Sequence, residues 1–388
     1  MANTLTNLIP DLYAAMDVVS RELTGFIPAV TMDAQVDRAA VGQAVYVPVT
    51  PAAAATDITP AVTPPNDGDQ TIGNTPITIT KARRVPFRWN GEEQRGINTG
   101  PGYLSIRQNQ IAQAIRTLVN EMESDLGALY VRSSRAYGTA GTTPFGTSTY
   151  VIDDLAQVLK ILKDNGAPNA DLQCILDTSA GARMRSIPGL NKVNEAGNDT
   201  LLRQGVLGDV LSFAVRESAG VAYHTASTSV SSSPDYNIDN VGGYDIGDTT
   251  LHLEAGTGTH VAGDVLTING DSNKYIIGAG ATGSGDKDIT LNAPGLRLAV
   301  DNDTAVETGA SYRANMAFHR SAMVLAARAP ALPEEGDMAV DRMLVTDPRT
   351  GLTFEVSMYA QYRQIQYEVA MAWGAANIKP EHTAILLG

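Results

Sequence analysis

YLSIRQNQIAQAIRTLVNEMESDLGALYVRSSR, residues 103 to 135, is the stretch on which the fold turns. Ile111, Ile115, Leu118, Met122, Leu126 and Leu129 recur at steps of three and four, so one side of a helix is apolar along its whole length. No proline interrupts it. About 33 residues at 1.5 Å each predict a rod of roughly 50 Å, longer than a domain core usually asks of one helix. The stripe itself predicts ordinary core packing; the length is the informative part.

Upstream, residues 4 to 23 predict an amphipathic helical arm, with Leu8, Leu12, Ala15, Val19 and Leu23 in helical spacing and Asp11, Asp17 and Glu22 among them. AVYVPVT (44–50) and TPITITKARRVPFRW (75–89) carry the β-branched and aromatic residues of two long strands. The Pro-, Ala- and Thr-rich segment between them is too poor in large apolar residues to pack alone, so the unit predicts a projecting hairpin with a soft tip. Such a ribbon needs a neighbour to lie on.

Downstream, VIDDLAQVLKILKDNG (151–166) predicts a helix, LQCILD (172–177) a strand, 178–186 a short helix, 199–205 a helical turn and VLSFAVRES (210–218) a strand. From about Ala226 the composition shifts to Ser, Thr, Gly and Asp. TTLHLEA, DVLTING, KYIIGAG and DITLNA follow at close spacing, as in an inserted β-barrel or sandwich. AFHRSAMVLAARA (317–329) predicts a return to helix. MLVTD, GLTFEVSMYAQ and IQYEVAMAWGAAN then predict closing strands, the first two joined by a tight turn at Pro348 to Gly351.

The 388 residues fit two or three domains, and the 43% hydrophobic and 18% charged fractions are those of a globular protein. No stretch reaches the roughly 18 apolar residues of a membrane span, and the opening residues lack the pattern of a cleaved export signal, so neither a membrane nor a leader is expected. A net charge of −14 argues against a protein whose main task is gripping nucleic-acid phosphates. It is compatible with a wall around DNA that carries its own counterions.

Motifs that suggest chemistry lose it in context. Gly278, Gly280 and Gly283 have GxGxxG spacing after a strand, but SGDKDITLNAPG has turn and strand character where a phosphate cradle needs a helix N-terminus. CILDTSAG has an Asp-Thr pair, with Ser179 where an aspartic protease has glycine, and no second such motif completes a dyad. Asp177 is expected to end a strand and cap the next helix. Cys174, in an apolar run, is expected to be a buried small hydrophobe. His224, His252, His260, His319 and His382 are scattered without zinc spacing, and the Gly-Asp turns lack an alternating calcium-ligand loop, so no metal or cofactor is expected. Lys81, Arg83, Arg84 and Arg88 form the densest basic cluster. In so acidic a chain they are expected to meet carboxylates of a neighbouring subunit.

AMDVVSRELTGFIPAV (15–30), YVPV (46–49), VAGDVLTINGDSNKYIIG (261–278) and VAMAWGAANIKPEHTAILLG (369–388) resemble the coat proteins of short-tailed Salmonella-type phages, which carry an inserted β-barrel. The element order is similar to the capsid fold named after phage Hong Kong 97. The resemblance implies an α+β capsid fold with N-terminal arm (1–43), extended hairpin (44–98), spine helix (99–145), axial part (146–225), inserted barrel (226–311) and a return to the axial and peripheral parts (312–388). It implies a non-enzymatic major capsid protein of the virion, assembled in the bacterial cytoplasm. Its partners would be itself, as pentamers and hexamers, a scaffolding protein, a portal protein and packaged double-stranded DNA bound without sequence specificity. Asp17 matches an acidic position that meets the scaffold, although a lone exposed ion pair contributes little. Asp235, Asp245 and Asp248 fall where an acidic loop contacts a neighbouring capsomer. Lys81 is the only lysine near the hairpin, and no glutamate matching a crosslinking site accompanies it, so noncovalent stabilisation is expected. Two other classes stay open: a carbohydrate-binding adhesin or fibre, which would call for tandem repeats or an export signal, and a hydrolase using Asp177, which would call for a second catalytic group nearby.

Overall fold

The computed structural model describes residues 24–33, 37–50, 55–65, 68–97, 103–146, 152–192, 205, 207–232, 235–346 and 351–388. Asp17 with the expected 4–23 helix, most of the 199–205 turn and most of the 348–351 turn lie outside them.

The decisive stretch forms one α-helix, Tyr103–Gly127, continued by a 3-10 segment, Ala128–Arg132. Its 25 helical residues measure about 38 Å, and the five 3-10 residues add about 10 Å, close to the expected 50 Å. The change to 3-10 geometry comes at Gly127, whose missing side chain admits the Gly220 carbonyl: a Cβ would stand 2.2 Å from that oxygen. The predicted stripe is the buried face, with Ile111, Ile115, Leu118, Met122 and Leu126 sealed from solvent.

That face lies on a six-stranded sheet. Thr31–Asp33 pairs in parallel with Met323–Arg328, which runs antiparallel to the 14-residue strand Gln364–Asn377. Thr353–Gln361 and then Ala339–Thr346 continue outward, while Lys81–Asn90 pairs with the other side of Gln364–Asn377. Phe354, Val356, Val369, Met371 and Trp373 meet the helix stripe in one apolar cluster.

The expected helix at 317–329 is instead the end of strand Tyr312–His319, a 3-10 turn Arg320–Ala322 and strand Met323–Arg328. Both strands run between two neighbours. Burial on both faces turns a strand into a continuous apolar run, which periodicity alone does not distinguish from a buried helix. Pairing then overrides the helix preference of Ala, Met and Leu.

Among the described residues a second sheet has 13 strands. In one half, Leu172–Leu176 lies between Phe213–Glu217, parallel, and Tyr312–His319, antiparallel, and the sheet continues through Thr383–Leu387 to Arg135–Tyr137. Helix Asp153–Asp164 covers it, adding Leu155, Val158, Ile161 and Leu162 to a separate core. In the other half, Val265–Ile268, Ala305–Thr308, Tyr236–Ile238, Thr250–Glu254, Lys287–Leu291 and Lys274–Ala279 pair in that order, and the last returns to the first. The ring is a small closed barrel, which removes open edges. Alternate residues such as Tyr236, Ile238, Leu251, Leu253, Leu266 and Ile268 fill it. Lys274–Ala279 also pairs with Arg135–Tyr137, so barrel and core share one sheet.

The hairpin is real, and its second strand is broken. Ala44–Val49 pairs antiparallel with Gly73–Thr78, and after Ile79 and Thr80 the chain enters the six-stranded sheet as Lys81–Asn90.

Candidate assembly surfaces

Among the described residues the hairpin is anchored at its root. Ile77 and Ile79 are fully buried with Ala39, Val324, Ala326 and Ala372. Backbone bonds from Gly42 N–H to the Ile79 carbonyl and from Thr80 N–H to the Trp373 carbonyl tie the root to the sheet. Gly374 makes the crossing possible, since a Cβ there would lie 2.0 Å from the Thr78 oxygen. Outward from the root the ribbon loses contact with its own chain: Tyr46 is 66%, Ile72 67%, Ile58 97% and Val62 105% exposed. Large apolar side chains left two-thirds or more in water along one projection mark a surface meant to be covered.

The basic cluster lies on Lys81–Asn90, whose one strand partner among the described residues is Gln364–Asn377, which makes it an edge strand there. Lys81 Nζ donates to Glu121 Oε1 at 2.9 Å and Asp125 Oδ1 at 2.8 Å, both on the long helix. The bond to Asp125, opposed by burial and helped by Glu121, raises the lysine pKa. Arg83 reaches Glu121 at 3.3 Å and Arg84 reaches Glu368 at 2.6 Å. Lys81, Arg83 and Arg84 thus each have a carboxylate partner inside their own chain, and the Arg83 and Arg84 side chains stay 58% and 60% exposed. Arg88 is exposed and forms no ion pair among the described residues. Cations and Pro86 on such an edge also discourage unplanned strand pairing.

The acidic residues lie on the barrel. Asp245 and Asp248 share an exposed loop, in which Asp245 N–H donates to Asp248 Oδ2 at 2.9 Å. Backbone bonds from Gly247 N–H to the Leu296 carbonyl and from Leu296 N–H to the Asp248 carbonyl hold it in place. Val241, 94% exposed, and Ile246, 65% exposed, belong to the same exposed stretch of chain. Asp235 is also exposed but precedes strand Tyr236–Ile238, at the opposite end of that strand from the loop.

Groups that suggested chemistry are engaged in packing. Asp177 caps helix Thr178–Arg185, its carboxylate accepting from Ala180 N–H at 2.8 Å and Ser179 N–H at 3.3 Å. The Cys174 thiol is buried, and burial pushes its pKa up to about 12, away from thiolate reactivity. Gly280 lets a loop cross the His260 carbonyl, and Gly283 turns the chain into strand Lys287–Leu291, with no helix for a phosphate. Among the described residues no cluster of three His, Cys, Asp or Glu side chains could hold a metal.

Two buried polar assemblies were not singled out from sequence. Glu123, inside the helix stripe, accepts from the N–H groups of Gly25, Phe26 and Ile27 and from the Ser218 hydroxyl. Burial raises its pKa against the opposing pull of those donors. A charged residue next to apolar Met122 was the available signal. His224, bonded to Asp264 at 2.9 Å and to the Tyr130 hydroxyl at 2.8 Å, joins the barrel to the end of the long helix. The trio is sealed from solvent, and its members lie too far apart in sequence to have been paired.

No protein-family model and no curated protein matches the sequence. The structure is similar to a chain in the capsid of the cyanophage P-SCSP1u, with a TM-score of 0.50 and 10% identity over 95% of this chain and 88% of that one. Similarity extends to a chain of the bacteriophage PhiM1 mature capsid, with TM-score 0.45 and 10% identity over 94% and 86% of the two chains. A chain of Mycobacterium phage Che8 matches at TM-score 0.45 and 13% identity over 90% and 88%. The fold is the α+β Hong Kong 97-like capsid fold, with its long helix, projecting hairpin and β-rich regions.

Proposed function

We propose that this chain is the major capsid protein of a tailed bacteriophage, acting in the virion by assembly and without a catalytic step. The observation that carries the reading is the hairpin: a projection rooted in the core, whose apolar residues Ile58, Val62 and Ile72 find no cover among the described residues of their own chain. A second copy of the chain supplies that cover. Many modest contacts of this kind sum to a closed shell and still allow rearrangement. On this reading the subunits form pentamers and hexamers around a scaffolding protein, join a portal protein, and expand as double-stranded DNA is packaged. The similarity of both chain ends and of the barrel to Salmonella-type coat proteins supports the finer assignment, with Asp17 as the scaffold contact, and Asp245 and Asp248 facing a neighbouring capsomer. The domain boundaries follow the same scheme.

Expressing the chain with and without the scaffolding protein of its phage, and imaging the products by negative-stain electron microscopy, tests the reading. Closed shells or polyheads are expected. Soluble monomers under both conditions would overturn it.

A further inference from the structure

The hairpin leaves the sheet at a two-residue joint, Ile79 and Thr80, and the next residue is Lys81. Its ammonium group reaches across to the long helix and bonds Glu121 and Asp125, one turn apart on the same face. Asp125 is fixed from the other side by the Trp373 indole N–H at 2.8 Å, and the Lys81 ammonium stands 6.0 Å from the Trp373 ring. Trp373 is itself buried in the strand that the hairpin crosses, next to Gly374, where Thr78 passes too close for any side chain. The joint, the long helix and the central strand therefore meet at one ammonium group.

The geometry points to Lys81 as the positioning residue that sets the angle between hairpin and long helix, and so the curvature with which one subunit meets the next. A lone exposed ion pair would be too weak for this. Here two carboxylates hold one lysine over a ring face, the Trp373 indole N–H fixes one of those carboxylates in turn, and a network of charges holds geometry where a single pair does not. Backbone bonds from Gly42 N–H to the Ile79 carbonyl and from Thr80 N–H to the Trp373 carbonyl tie the joint to the sheet, and the Lys81 clasp is what links that joint to the long helix.

The inference rests on the hairpin being an assembly element, and its test has an arm that does not. Cys174, the one cysteine, is buried, so spin labels go selectively onto Gln113→Cys on the long helix and Tyr46→Cys on the hairpin, both exposed. Pulsed electron resonance on the full-length unassembled chain is expected to give one narrow distance distribution. Lys81→Met, which keeps the apolar stem, should at least double its width, and Lys81→Arg should restore it. In the assembly arm, unlabelled Lys81→Met should give shells of mixed diameter, open sheets or tubes, with Lys81→Arg returning to one diameter. A Lys81→Met chain with the native distance width overturns the proposal whether or not shells form, and so do native shells of a single diameter. Failure of the unsubstituted chain to form shells would count against the capsid reading alone.

Discussion

His260 shows how a residue can matter through the proton it refuses. Its ring is 2% exposed, tilted against Tyr236 at a centroid distance of 4.9 Å, with Nε2 beside the Thr308 hydroxyl at 3.2 Å. Burial, with the Lys287 ammonium nearby, lowers its pKa to about 4 from the ordinary 6.5. The folded barrel therefore stays unprotonated where the unfolded chain takes up a proton. Stability contributed by neutral His260 is complete above about pH 6.5 and is lost as pH falls toward 4, by on the order of 3 kcal/mol in full. Thermal melts between pH 7 and 4 should show the native chain losing more stability than His260→Gln. Parallel pH slopes for the two would refute the assignment. Glu123 is also buried, but its shift runs the other way: burial raises a carboxyl pKa, so its protonation favours the folded state. Neither role was legible in sequence, because burial is a property of what surrounds a side chain and five scattered histidines look alike.

Among the elements, the hairpin and the strand it crosses carry the sharpest steric demand. Gly374 lies within the 14-residue strand, in a stretch whose apolar residues would suit almost any small side chain. The structure leaves it none, since the contact at 2.0 Å is to backbone oxygen and cannot swing away. Gly374→Ala is expected to cost at least about 2 to 3 kcal/mol through overpacking. Equilibrium urea unfolding of the unassembled chain would read it, and a change under 0.5 kcal/mol would mean the crossing is looser than described. The helix stripe, the barrel strands and the closing strands were legible because each repeats a pattern within a dozen residues. The strand break at Ile79 and the strands at 312–328 were not, because pairing partners decide both.

For the molecule as a whole, the contrast is between surfaces finished within the chain and surfaces left open. The barrel closes its own edges, and the edge strand Lys81–Asn90 carries Pro86 and cations. Ile58 and Val62 are left bare by the described residues. Replacing both by Asp should leave the melting of the unassembled chain within about 0.5 kcal/mol of native, as for surface positions without contacts. Shell yield should fall at least tenfold, read as the assembled fraction by sedimentation. Native yields would remove the tip from the interface.

The sequence by itself determined the parts whose physics is local: the side of the long helix that is buried, the alternation that fills the barrel, and the failure of each catalytic motif to find its context. A net charge of −14 was equally plain, with what it says against a phosphate-gripping surface. Only the tertiary structure decided that 312–328 pairs as strands, that the hairpin turns into the sheet after Ile79, and that Lys81 is spent on Glu121 and Asp125 of its own chain. Periodicity is set by neighbours a few residues away. A charge or an edge is satisfied by whatever the fold brings beside it, and here that partner lies 40 or more residues distant.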